Sequence, residues 1–259
     1  MKNLSFVFAA VAVLGLSSCK SKPVVEVPRS DALWNIISTQ CLPLHKIGEE
    51  KNPCIEVNIA QGEEKGYVVF KDRVGDLQYL LMPTEKITGM ESPKIRDAGA
   101  TNYFDLAWKA KTYMDKKHGS VIPVEAVSLA INSQFGRSQN QLHIHVSCVK
   151  PQVQQQLQEQ AVKLKNGWTL LPQPLLGHKY YVRKISEKEL EKGNAFQMLA
   201  DGVPGAKDHS GEFGLGLLAV KDKKKGHSLI LLTSRFERGT NNYGSVEEIQ
   251  DHSCPQLAH

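Results

Sequence analysis

Long apolar runs are scarce in this chain: the longest, residues 4–16, falls short of the roughly 20 residues that span a bilayer comfortably. Charge of one sign is concentrated only at Lys221 and residues 223–225, and 32 Lys and Arg against 27 Asp and Glu leave a net charge of +5. No aromatic interleaving and no nucleic-acid motif accompany those lysines, which argues against nucleic acid as a partner. A mildly basic surface still suits approach to anionic lipid. Cys-x-x-Cys spacing is also missing, which argues against a zinc site. With 41% hydrophobic and 23% charged side chains over 259 residues, the composition excludes disorder and fibre and allows one large core or two small ones.

What is present begins at the N-terminus. Lys2, the apolar run and Leu16-Ser-Ser-Cys19 follow the order of a secretory signal peptide. Small residues ending in Cys19 resemble a bacterial lipobox, where cleavage precedes the cysteine and its thiol is lipidated; an uncleaved anchor is the other reading. Either way residues 20–30 form a tether, and the body, residues 31–259, is expected at a membrane surface on the periplasmic face, with the inner membrane favoured. Setting Cys19 aside leaves Cys41, Cys54, Cys148 and Cys254, an even number that in an exported chain points to two disulfides. Three pairings can be drawn. A local Cys41–Cys54 loop would leave Cys148 to join the C-terminal tail at Cys254.

Apolar spacing predicts a short helix over residues 31–40, capped by Ser30 or Asp31, then a hairpin of residues 66–71 and 77–82. A helix over residues 101–118 places Phe104, Leu106, Ala107, Ala110, Tyr113 and Met114 largely on one face and ends at Gly119. Strands at 127–131 and 142–146 flank a polar turn, residues 132–141. The second half repeats this order more weakly, with a strand at 180–182, helix near 187–200 and a hairpin of 213–220 and 227–233. The expectation is an α+β antiparallel sheet, a pseudo-dimer of a catalytic half, 31–150, and a degenerate half, 151–259. The Gln-rich stretch 152–160 reads as a solvated helix.

Strand alternation puts His143 and His145 on one face and Leu142, Ile144 and Val146 on the other. Two imidazoles on a strand serve a metal site or plain exposure as readily as catalysis, so their surroundings decide. Gly136 permits close backbone approach, Ser138 and Gln139 offer hydroxyl and amide groups for phosphate oxygens, and Asn132 stands at the same turn. His178, His209, His227 and His252 lack partners at informative spacing, Tyr103, Phe104 and Trp108 read as helix packing, and Lys86 and Arg137 read as solvated cations before they read as pyrophosphate ligands.

Asn132, Gly136, Ser138, His143 and His145, with Leu80-Leu-Met-Pro83, together resemble the signature of histidine-triad nucleotide hydrolases and transferases. Leu77-Gln-Tyr-Leu-Leu-Met-Pro-Thr84, Ala126-Val-Ser-Leu-Ala-Ile-Asn-Ser133, His143-Ile-His-Val-Ser-Cys148 and Glu247-Glu-Ile-Gln-Asp-His252 are similar to the CDP-diacylglycerol pyrophosphatases. That resemblance implies a histidine-triad-like sheet, hydrolysis of CDP-diacylglycerol in the bilayer to CMP and phosphatidate, and no required cofactor or metal. It implies His143 as nucleophile, His145 on phosphate oxygens, Ser138 at the scissile oxygen and Asn132 at phosphate or sugar. Gln141 departs from the pattern, standing where a histidine is expected and unable to deliver a proton at neutral pH. The rival readings are another nucleotide pyrophosphatase or nucleotidyl transferase, and a catalytically inactive nucleotide- or lipid-binding lipoprotein.

Overall fold

The computed structural model describes residues 30–49, 52–161, 163–164 and 166–257; the expected signal peptide, the anchor at Cys19 and the tether up to residue 29 lie outside them. Among the described residues no helix is long and apolar enough to cross a membrane.

The expected hairpins form and join one antiparallel sheet. Its strands are β1 (Cys54–Asn58), β2 (Tyr67–Lys71), β3 (Tyr79–Pro83), β4 (Val127–Ile131), β5 (Ile144–Cys148), β6 (Thr169–Leu170), β7 (Tyr181–Ile185), β8 (Phe213–Asp222) and β9 (Gly226–Arg235). They lie in the order β1-β2-β3-β5-β4-β8-β9-β7-β6, each neighbour antiparallel. The β4–β8 pair joins the two halves of the chain, and the whole is α+β as expected.

Helices cover both faces. On one face α3 (Tyr103–Ala110), α4 (Thr112–His118), α6 (Glu187–Lys192) and α7 (Ala195–Gly202) bury Phe104, Met114, Leu190 and Phe196 against Leu81, Val146, Leu217 and Leu231. Asn102, Ser186 and Asn194 cap α3, α6 and α7 by accepting from backbone amides of the first turn. Gly119, at φ +84°, ends α4 in the left-handed conformation that glycine adopts without strain.

The other face is divided. Across it runs a row of directly paired residues, Phe70, Leu80, His145, Ala130, Gly216, Leu232 and Val182. Over the second half lies α5 (Pro151–Gln160), whose Val153 and Leu157, four apart on one helical face, pack with Val182, Leu218, Ile230 and Leu232. Each such apolar side chain contributes about 2 kcal/mol by leaving water. Over the first half lies a continuous helical segment, α1 (Ala32–Ile36), a π turn (Ile37–Cys41) and α2 (Leu42–Lys46), with Ile37 and Cys41 packed on Val68, Leu80 and Met82. Disulfides link Cys41 to Cys54 and Cys148 to Cys254, which settles the pairing.

Four expectations need correction. The first helix runs to Lys46 because the π turn carries it past residue 40. The 101–118 helix divides at Lys111, where Thr112 Oγ1 turns back onto Lys109 O. The strand bearing the histidines begins at Ile144 rather than 142, because Leu142 N donates to Ile87 O outside the ladder. The Gln-rich helix is amphipathic: its glutamines face outward while Val153 and Leu157 are buried.

Candidate active site

Six of the residues singled out in the sequence line one cavity of about 540 Å³: Asn132, Gly136, Ser138, Gln139, His143 and His145. Leu33, Ile36, Phe70, Val74 and Leu80 form an apolar wall, and Asp72, Arg73, Gln78 and Glu247 add polar groups. A larger cavity of about 650 Å³ between α3 and α6 holds Lys, Glu and Trp108 but no histidine.

The two imidazoles reach the same cavity, but His143 precedes β5 and both lie in a recess rather than on an open strand face, a correction to the expectation: each is only 6% exposed. Their ring centroids stand 4.9 Å apart, edge to face. Nδ1 of His143 lies 2.7 Å from the Gln141 carbonyl oxygen. A carbonyl only accepts, so Nδ1 carries the proton and Nε2 keeps its lone pair; Nε2 has no hydrogen-bond partner among the described residues. Burial pushes the His143 pKa down, partly offset by the Gln141 carbonyl and the charge of Glu247, so the ring is neutral and nucleophilic at neutral pH.

His145 sits deeper in the electrostatic network. Burial lowers its pKa to about 4 against the pull of Glu247. Its Nδ1 is 3.0 Å from Gln78 Nε2 and 3.4 Å from Glu247 Oε1, while its Nε2 is buried with no hydrogen-bond partner among the described residues. Gln78 Nε2 also donates to Asp72 Oδ2 at 3.0 Å.

Sequence spacing missed Glu247 and His252. Glu247 Oε1 takes His252 Nε2 at 3.2 Å, its Oε2 accepts from Asn132 Nδ2 at 2.8 Å, and its amide donates to Asn132 Oδ1 at 3.0 Å. Burial would raise the Glu247 pKa, but the His252 hydrogen bond, the His145 charge and the Asn132 amide bring it to about 2. His252 Nδ1 meets Ser147 Oγ at 2.9 Å, and its ring stands 6.3 Å from that of His145. Only tertiary structure brings these residues in: Val149 bridges Gln250, Asp251 N donates to Cys148 O, and Cys254 is bonded to Cys148. The cost of leaving His252 with the uninformative histidines is this missed contact; His178, His209 and His227 do pair with Glu248, Glu212 and Glu187 away from the cavity.

Several expected roles change. Gln141 does not line the cavity; its Nε2 donates to Pro83 O and Glu85 O at 3.0 Å each, so it ties the approach to β5 onto the end of β3. Asn132 lines the cavity with its amide engaged at both ends by Glu247. Gly136 lines the cavity and also meets a packing requirement, since a Cβ there would collide with Ser245 Oγ. Arg137 is a buried cation in a bidentate pair with Glu91, at 2.6 and 2.7 Å, and Lys86 pairs with Asp31 at 2.6 Å. Ser138 is an exposed residue at the cavity lining, while its carbonyl accepts from Ser30 N at 2.9 Å and Gln139 Oε1 accepts from Leu33 N at 3.3 Å. The site loop is thus stitched to the end of the tether at Ser30 and to the start of α1 at Leu33.

A neutral imidazole with one nitrogen fixed and the other free, beside a second buried imidazole and hydroxyl and amide groups, has the chemistry that a hydrolase or transferase pocket requires. The family profile described as CDP-diacylglycerol pyrophosphatase matches residues 28–258. A protein of Yersinia pestis named CDP-diacylglycerol pyrophosphatase is 45% identical over 230 residues, covering 89% of this chain and 86% of that relative. The chain belongs to the CDP-diacylglycerol pyrophosphatase family.

Proposed function

We propose that the chain hydrolyses CDP-diacylglycerol to CMP and phosphatidate, with His143 Nε2 as the nucleophile. The observation that carries this is the 2.7 Å contact from His143 Nδ1 to the Gln141 carbonyl, which fixes the tautomer and leaves Nε2 free in the cavity. Nε2 attacks the phosphorus bearing the cytidine; a P–N bond forms as the bridging P–O bond breaks, and phosphatidate leaves. Water then attacks the same phosphorus, the P–N bond breaks, the water's proton passes to solvent, and CMP is released. Nδ1–H on the Gln141 carbonyl stabilises the positive ring of the nucleotidyl intermediate. A phosphomonoester leaves without a strong proton donor, which agrees with a Gln141 side chain turned away from the cavity.

The strand–helix–hairpin order in each half, with β3-β5-β4 meeting β8-β9-β7, supports reading the sheet as a degenerate tandem histidine-triad arrangement. The apolar wall from Leu33 to Leu80 supports a lipid substrate, and the stitching of Ser30 to the site loop supports a cavity close to a membrane anchor at Cys19 on the periplasmic face. CMP release from CDP-diacylglycerol in detergent micelles, with a chelator present, tests the reading. Wild type should turn over and His143→Ala should lose at least ~10³-fold. Equal activity in the variant would remove His143 from the mechanism.

A further inference from the structure

His145 Nδ1 faces two groups that want opposite things from it. Gln78 Nε2, at 3.0 Å, is a donor that needs a bare nitrogen; Glu247 Oε1, at 3.4 Å, is an acceptor that needs a protonated one. Gln78 is fixed in the donor orientation because its Nε2 also donates to Asp72 Oδ2. The neutral ring therefore accepts from Gln78, and the protonated ring has Glu247 to donate to. In both states Nε2 bears a proton, and it is the buried nitrogen of His145 with no hydrogen-bond partner among the described residues.

We propose that Glu247 is a positioning residue that lets His145 take up one proton when the pyrophosphate enters, making His145 a cationic clamp on the phosphate oxygens. This rests on the reading of the cavity as the pyrophosphate site. The proton comes from solvent and adds to Nδ1, which passes from accepting from Gln78 to donating to Glu247; Nε2–H donates to a phosphate oxygen, and no covalent bond changes. The charged and titratable groups that act on the ring are His143 from the approach to β5, Asp72 from the β2–β3 loop, and Glu247 and His252 from the C-terminal segment; Arg137 from the site loop acts on His143. Burial keeps His145 neutral beforehand, with a pKa near 4, so the anionic substrate and Glu247 together drive the uptake. Asn132 holds Glu247 at two points, donating from Nδ2 to its carboxylate and accepting at Oδ1 from its backbone amide, so a residue expected to touch substrate serves the clamp from behind.

The test is the pH dependence of CMP release from CDP-diacylglycerol in micelles for wild type, Glu247→Gln and the control Glu248→Gln. Glu248 is a neighbouring carboxylate whose partners, His178 and Tyr180, lie outside the cavity. Glu247→Gln keeps an acceptor for Asn132 but removes the charge, so the alkaline limb should move at least about one pH unit toward acid and KM at pH 8 should rise about tenfold. Glu248→Gln should leave the limb in place. Should Glu247→Gln fail to fold, Asp72→Asn, which acts on His145 through Gln78, should move the limb the same way by about half as much. An unmoved limb in the folded variant, with wild type active, overturns this proposal alone; no CMP release from wild type overturns it together with the reading of the site.

Discussion

The row Phe70–Leu80–His145–Ala130–Gly216–Leu232–Val182 crosses two halves of one sheet face, and what covers it differs. In the second half α5 lays Val153 and Leu157 over Leu232, and the row is sealed core. In the first half the helical segment of residues 32–46 rests on Leu80 beside the histidines and stops short of sealing them, leaving a cavity. The same ladder thus supplies stability where a helix covers it and, on the proposed reading, chemistry where the cover is incomplete. The C-terminal segment then crosses to the open half and brings it a carboxylate and a third imidazole.

The largest effect should come from unfastening that segment. The Cys148–Cys254 bond spans 106 residues and the Cys41–Cys54 bond 13, so chain entropy assigns them about 4.7 and about 3 kcal/mol. Chemical denaturation of each double Ser variant should show the larger loss for Cys148/Cys254, and only that variant should lose activity under conditions where it is folded. Next, Leu232→His places an imidazole under α5 without a carboxylate partner and should cost about 3–4 kcal/mol. By contrast His145→Leu should leave denaturation stability near wild type while lowering CMP release by about a hundredfold.

How much of this was legible in the sequence follows from the range of the interactions. Alternation put His143 and His145 on one side of the expected strand, because the period of a strand is local, and both do line the cavity although β5 itself begins at Ile144. Export and an even cysteine count pointed to two bridges, and apolar runs located the hairpins. The covering of the histidines was not legible: a period says which side a residue takes, not what packs there. Glu247 and His252 lie about a hundred residues from His145 and reach it through a bridge and a disulfide, so local spacing assigned them no role even though their stretch carried the family resemblance. Gln141 came to the site through the resemblance alone, and its side chain, placed before β5 begins, turns instead to Pro83 O and Glu85 O.

Acid separates the halves more gently. His145 has a folded pKa near 4 and an unfolded value near 6.5, so the unfolded chain binds the extra proton between these limits and stability falls as pH drops from about 6.5 to about 4. Melting temperature should decline over that window in wild type and decline less in His145→Leu. The smallest effect is expected at Gln141→Ala, which loses two hydrogen bonds to the end of β3 for about 1–2 kcal/mol of stability with turnover near wild type.

The most direct test of the central claim is to quench the enzyme during turnover of CDP-diacylglycerol carrying a labelled cytidylyl phosphate and to map the label by peptide mass spectrometry. An acid-labile cytidylyl adduct is expected on the peptide containing His143, absent from His143→Ala. An active enzyme that yields CMP with no adduct on His143 under any quench, or with the label on another residue, would contradict it.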